Sequence, residues 1–201
     1  MPITSPTYEK LGGKMSLYDE ASGKTCSFDV CCECKASCCQ DAKPPLTNER
    51  KKIIRDYLKN HGISIKQPFA KAGYSHPAVD AAGFCVFYNK ATKKCLVHQV
   101  KPETCKAGPI TFDVNCNTGK LEWFLKTGEI CIYAPKLYQN RERFVEHFKV
   151  ARSEILRLIC KLDSEALRTV LKVEEPQTFK LSEDDLPEEV AKKLKIKTKH
   201  K

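Results

Sequence analysis

Nothing in the 201-residue chain approaches the ~20 consecutive apolar residues of a membrane span. The start, Met1-Pro2-Ile3-Thr4-Ser5-Pro6, has no basic residues leading into an apolar stretch, so no secretory signal is read there. Three common catalytic signatures are missing: Gly-x-Ser-x-Gly, a Gly-rich lysine loop for phosphates, and His-Glu-x-x-His. No nucleophile stands out, and whether the chain is an enzyme stays open. There is no internal repeat. Hydrophobic residues at 41% and charged residues at 30% place it in the globular class, at the length of one domain with room for an appendage.

What the chain has is cysteine, twelve residues in all. That is 6%, below the ~8–10% that marks a short secreted disulfide scaffold. Six of them (Cys26, Cys31, Cys32, Cys34, Cys38 and Cys39) fall within fourteen positions. In a cytoplasmic chain, where thiols stay reduced, such crowding reads as metal ligation or redox chemistry rather than bridging. The expected location is therefore cytoplasmic. The net charge of +10 is partly local, because residues 192–201 hold six lysines and no acid. Thiolates formed on metal binding would cancel much of the remainder.

Reading along the chain, residues 1–25 form a flexible leader and 26–134 a cysteine-cluster metal-binding domain. Residues 135–175 are a helical extension packed on it, and 176–201 a short helix with a basic tail. Thr47 caps an expected helix with the stripe Ile53, Ile54, Tyr57 and Leu58, ended by His61-Gly62. Residues 63–82, with Pro68, Gly73 and Pro77, read as loop. Phe84–Tyr88 and Cys95–His98 read as a strand pair, and Pro102–Cys105 as one helical turn stopped by Gly108-Pro109. A second hairpin runs from Ile110 to Leu125 through Asn117-Thr118-Gly119-Lys120. One helical stripe spans Leu137 to Leu162, a shorter helix covers Ser164–Val173, and another starts near Ser182 and Pro187. The fold class is α+β: a small cysteine-rich domain of short antiparallel hairpins and flanking helices.

Cys31-x2-Cys34 has the spacing at which two sulfurs converge on one metal at ~2.3 Å. Adjacent side chains in an extended segment point to opposite faces, so Cys38 and Cys39 imply two metals or a cluster approached from two sides. The first cluster alone cannot close two tetrahedral sites. Cys85, Cys95 and Cys105, at one end of a short hairpin, are the expected further ligands. The metal set is thus Cys31, Cys34, Cys38, Cys39, Cys85, Cys95 and Cys105, with Cys32 an alternative to Cys31 and the role of Cys26 open. Cys116, Cys131 and Cys160 are read as ordinary packing, since free cysteine behaves as a small hydrophobe. His98 is a candidate imidazole ligand. His61, His76 and the basic residues Arg141, Arg143, His147, Lys149 and Arg152 of the long helix are read as solvent-facing.

The order of these pieces resembles the YkgJ-like CxxCxxCC family, a zinc- or iron-chelating domain. Phe28 precedes the first cluster, and Leu46-Thr47-Asn48-Glu49 approximates the family's helix start. Cys85 with Phe87, Cys95-Leu96-Val97-His98 and Lys101-Pro102-x-x-Cys105 follow in the family's order. The likeness covers about residues 28–112. It departs in having three residues between Cys34 and Cys38, an extra Cys32, His98 in place of Tyr and Gly108 in place of Phe. Lys101 and Lys106 stand in place of Arg. The resemblance implies zinc or iron as cofactor. It also implies an iron–sulfur centre as one form, since proteins resembling the family are linked to lysine methylation of flagellin. Three function classes stand side by side: a metal or cluster carrier or sensor, an iron–sulfur enzyme component, and a zinc-stabilised interaction module. Expected partners are a protein and, through the basic tail, nucleic acid by phosphate attraction, with no membrane.

Overall fold

The computed structural model describes residues 38–40, 42–174 and 177–196. Its architecture is α+β. Helix α1, Asn48–Asn60, begins where Thr47 accepts a hydrogen bond from the Arg50 amide and ends at His61. Such a cap is worth about 1 kcal/mol. Ile54 and Leu58 face a small core with Leu46, Phe87 and Val97, whereas Ile53 is exposed.

Residues 63–82 are not all loop. Strands β1, Phe69–Ala72, and β2, Tyr74–Pro77, form a hairpin turned at Gly73 alone. Gly73 sits at φ +74°, and a Cβ there would meet Thr169 Cγ2 at 2.9 Å. Both the left-handed backbone and the close approach demand glycine. Gly73→Ala should therefore cost about 1–3 kcal/mol in chemical denaturation. Adding Thr169→Ala should recover only the part due to the collision. An unchanged unfolding midpoint in Gly73→Ala would refute this account of the turn. His76, read as solvated, lies in β2 and is buried, its Nδ1 2.8 Å from the Pro77 carbonyl.

The strand pair around Tyr88 is far shorter than the sequence reading. Strand β3 is Tyr88–Asn89 and β4 is Lys94–Cys95, while His98–Val100 forms a 3₁₀ turn instead of extending a strand. Helix α2, Glu103–Ala107, is the expected single turn.

Strands β5, Ile110–Asn115, and β6, Lys120–Lys126, pair as the turn sequence predicts. Leu121, Trp123 and Leu125 alternate into the main core. A third strand, β7, Thr178–Asp185, pairs with the other edge of β6 in place of the helix start read near Ser182.

The long stripe is two helices, α3, Tyr133–Gln139, and α4, Arg141–Lys161. Asn140 leaves the helical region and caps α4 through the Arg143 amide, so the break is a local capping choice. Helix α4 buries Ala151, Ile155, Leu158 and Ile159 against the sheet. Its basic residues are not all in solvent. His147 bonds the Ala107 and Gly108 carbonyls at 2.9 and 3.1 Å. Arg152 pairs with Asp184 at 2.6 Å and lies over the Trp123 and Phe148 rings. Helix α5, Ser164–Val170, is three residues shorter than its sequence reading.

Helix α6, Glu188–Leu194, packs Val190 and Ala191 into the core, with Leu194 and Ile196 against it. Lys193 donates to the Leu162 carbonyl at 2.9 Å. Residues 192–196 of the basic tail are therefore anchored to the fold, where the sequence suggests a solvated end; positions 197–201 lie outside the described residues. Deleting 192–201 should lower the melting temperature, because the C-cap of α6 and the apolar contacts of Leu194 and Ile196 go with it. A truncated protein melting like the full chain would contradict this. Among the described residues, no helix is long and apolar enough to cross a membrane.

Candidate metal centre

The cysteine loop is held by local polar contacts more than by apolar packing. Asp80 Oδ1 accepts the Ala82 and Phe84 amides, both at 2.9 Å, and Lys90 pairs with its other oxygen at 2.7 Å. This Asx-type turn, completed by Gly83 at φ +80°, aims the chain back into Cys85. There the Cys85 amide donates to the Cys39 carbonyl at 2.8 Å, and Gln40 bridges Phe84. Cysteines 46 positions apart in sequence are thus joined by the backbone. Cys95 comes from β4, directly opposite Tyr88. Cys105 comes from α2, three residues after the 3₁₀ turn has passed Lys101 and Pro102.

The charges of these thiols act on one another. Cys38 and Cys39 place their sulfurs 3.9 Å apart. The hydrogen bond with Cys39 draws Cys38 down to about 6, helped by Lys101 and Lys126. The same bond pushes Cys39 up, with burial and the charges of Cys38, Cys105 and Cys95 adding. Burial pushes Cys85 up to about 11, and Cys95 and Cys38 push further. Burial also drives Cys105 well above the ordinary thiol range, with Cys38, Cys95 and Cys85 raising it and Lys101 opposing.

One thiolate is comfortable here and a second is not, because like charges in a desolvated site oppose ionisation. A bound cation removes that penalty and deprotonates its thiol ligands. The donor set, soft sulfur with two lysines beside it, fits zinc or iron. Burial and then Lys101 lower His98 to about 4, so its imidazole is neutral at physiological pH, the form that ligates metal.

Of the sequence candidates, Cys38, Cys39, Cys85, Cys95 and Cys105 are brought into one region, and all five are free thiols. Cys31 and Cys34, with Cys26 and Cys32, lie outside the described residues. Among the described residues, no three His, Cys, Asp or Glu side chains form a ready cage. Cys131 and Cys160 pack against the main core, as read. Cys116 does not: it is exposed beside the β5–β6 turn.

A buried ionic network beneath the site escaped the sequence reading. Arg50 of α1 pairs with Glu154 of α4 at 2.6 Å, and Lys106 of α2 reaches the other Glu154 oxygen at 2.7 Å. Glu103, fully buried, accepts from the Thr47 hydroxyl at 2.6 Å, and its Oε2 has no hydrogen-bond partner among the described residues. Burial raises the Glu103 carboxyl above its usual range, with Thr47 and Arg50 opposing. The network ties α1 and α4 to the helix that carries Cys105. A sequence signal existed. Arg50 precedes Ile54 and Leu58 at four-residue steps, and Glu154 lies between Ala151 and Leu158, so both charges sit on apolar stripes.

The profile of the CxxCxxCC family, described as "Putative zinc- or iron-chelating domain", matches residues 30–161. An uncharacterized protein of Methanocaldococcus jannaschii is 32% identical over 99 residues, covering 46% of this chain. The chain spans about half of that relative's length, 53%. No solved structure matches. With two-thirds of its length under one profile, the chain belongs to the CxxCxxCC family of zinc- or iron-chelating domains.

Proposed function

We propose that this chain is a cytoplasmic protein whose cysteines hold zinc ions or an iron–sulfur cluster, Cys31 and Cys34 acting with Cys38, Cys39, Cys85, Cys95 and Cys105. The observation that carries the reading is the Cys39–Cys85 backbone bond, with Cys95 and Cys105 within reach of the same charge. Seven thiolates and one further ligand, for which His98 is the nearest neutral imidazole in sequence, would complete two tetrahedral zinc sites at about four ligands each. A four-iron cluster would take about four thiolates and leave the others for another role.

A second reading is an iron–sulfur component that passes electrons to a partner protein. The exposure of Cys38 favours it, since one edge of the centre meets solvent where a partner can dock. Anaerobic purification followed by elemental analysis and an absorption spectrum separates a zinc centre from an iron–sulfur one. Zinc in a colourless protein supports a metal carrier or zinc-stabilised module. Iron with acid-labile sulfide in a brown protein supports the redox component. A folded protein holding neither metal would overturn both.

A further inference from the structure

The solvent face of α1 carries Lys51, Arg55 and Lys59 at four-residue steps, about 6 Å apart along the axis. Like charges at this spacing repel one another along the helix. The acids of α1 lie off this line and are engaged elsewhere, Asp56 with Lys52 at 2.8 Å and Glu49 with Lys161 at 3.2 Å. The β1–β2 hairpin extends the positive face. Lys51 reaches Ser75 Oγ at 3.1 Å, and Lys71 adds a further exposed charge. Burial lowers the Lys51 ammonium most, and the charges of Arg55 and Lys71 lower it further. The Arg55 guanidinium also lies over the Phe69 ring, 5.1 Å from its centre. A cleft of about 350 Å³ beside it has an aliphatic floor of Leu58, Ile63 and Ile65, with Arg55 and Lys59 among its lining residues.

We infer that this face, Lys51, Arg55 and Lys59 of α1 with Lys71 and Phe69 of the hairpin, is a binding surface for single-stranded nucleic acid. A row of cations follows a phosphate backbone, and an arginine stacked on an aromatic ring offers a platform for a base. An acidic protein would need the cations but not the stack, and a duplex buries the base faces that the stack would use. The surface involves none of the cysteines and differs from the C-terminal lysines.

The test uses the full chain with its metal and a labelled 20-nucleotide oligouridylate, read by fluorescence anisotropy across a salt series. The triple variant Lys51→Gln/Lys59→Gln/Lys71→Gln should bind roughly 10-fold more weakly at ~100 mM salt, with a salt slope smaller by about two. Arg55→Lys keeps the charge and gives a readout should the triple variant fail to fold. It should retain the salt slope yet bind the oligonucleotide several-fold more weakly, while duplex binding is unchanged. Equal affinity and slope in the wild type and the triple variant would overturn the inference. So would Arg55→Lys binding like the wild type, or polyglutamate of matched charge displacing the oligonucleotide as well as unlabelled oligouridylate does.

Discussion

Chelation under reducing conditions should strip hydrogen-exchange protection from residues 84–101 and leave α4 protected. The two regions differ in what holds them. Helix α4 buries Ile155, Leu158 and Ile159 against Trp123 and Leu125 in the main core. The cysteine loop has two-residue strands and shares a cluster in which only Phe87 and Val97 are its own buried residues. A ladder that short cannot hold a loop by itself, and free energies of structural metal binding in small domains run to about 10–16 kcal/mol. The thiol shifts give the accompanying pH dependence its sign. In the metal-free protein Cys85 and Cys105 keep their protons to higher pH than in an unfolded chain, Cys85 to about 11. Their contribution to apo stability is intact below the ordinary thiol range and lost as pH rises through the raised values. Metal uptake must expel those protons, so loading should acidify an unbuffered solution and weaken as pH falls. Retained protection at 84–101 after complete metal removal would contradict this account of the loop.

Glu154→Ala should be the most damaging substitution outside the cysteines, at about 3–5 kcal/mol. It takes the 2.6 Å partner from Arg50, which is nearly solvent-inaccessible, and leaves it the longer 3.8 Å contact with Glu103. Lys106, more exposed, can turn to water instead. Burial tends to raise the Glu154 carboxyl, but the Lys106 hydrogen bond and the charges of Arg50, Lys106 and Arg157 outweigh it and leave it lowered. Its stabilising contribution is therefore present at neutral pH and lost as pH falls through that lowered value. Glu103 has the opposite sign, since its raised carboxyl contributes most at acid pH. Removing both charges with Arg50→Met/Glu154→Leu should restore most of the loss, because the cost lies in the unpaired charge. Thermal melting of the three proteins decides it. A Glu154→Ala protein within ~1 kcal/mol of wild type would show that the pair is not the joint between α1 and α4.

The elements legible in the sequence are those whose signals are local. Thr47 and His61-Gly62 bracket α1 to within a residue, and Asn117-Thr118-Gly119-Lys120 places the β5–β6 turn. The elements that escaped depend on partners far along the chain. Strand β7 ends in three acids and has half its residues exposed, and it exists because β6 offers a free edge more than fifty residues earlier. The β1–β2 hairpin lacks alternation in Phe69–Ala72 and turns on one glycine whose constraint comes from Thr169. The same distinction runs through the site. Cysteine spacing marked the residues worth testing, whereas the lysines beside Cys38 and the ionic network under Cys105 emerge only when α1, α2 and α4 meet.

The central claim, that the distant cysteines serve one metal centre, is tested most directly by metal stoichiometry in a series of Cys→Ser variants purified anaerobically. Cys39→Ser, Cys85→Ser and Cys105→Ser should each lose most of the bound zinc or iron, while Cys116→Ser, altering an exposed thiol beside the β5–β6 turn, should keep all of it. Full metal content in Cys85→Ser and Cys105→Ser, or equal loss in Cys116→Ser, would contradict a centre built from both ends of the cysteine sequence.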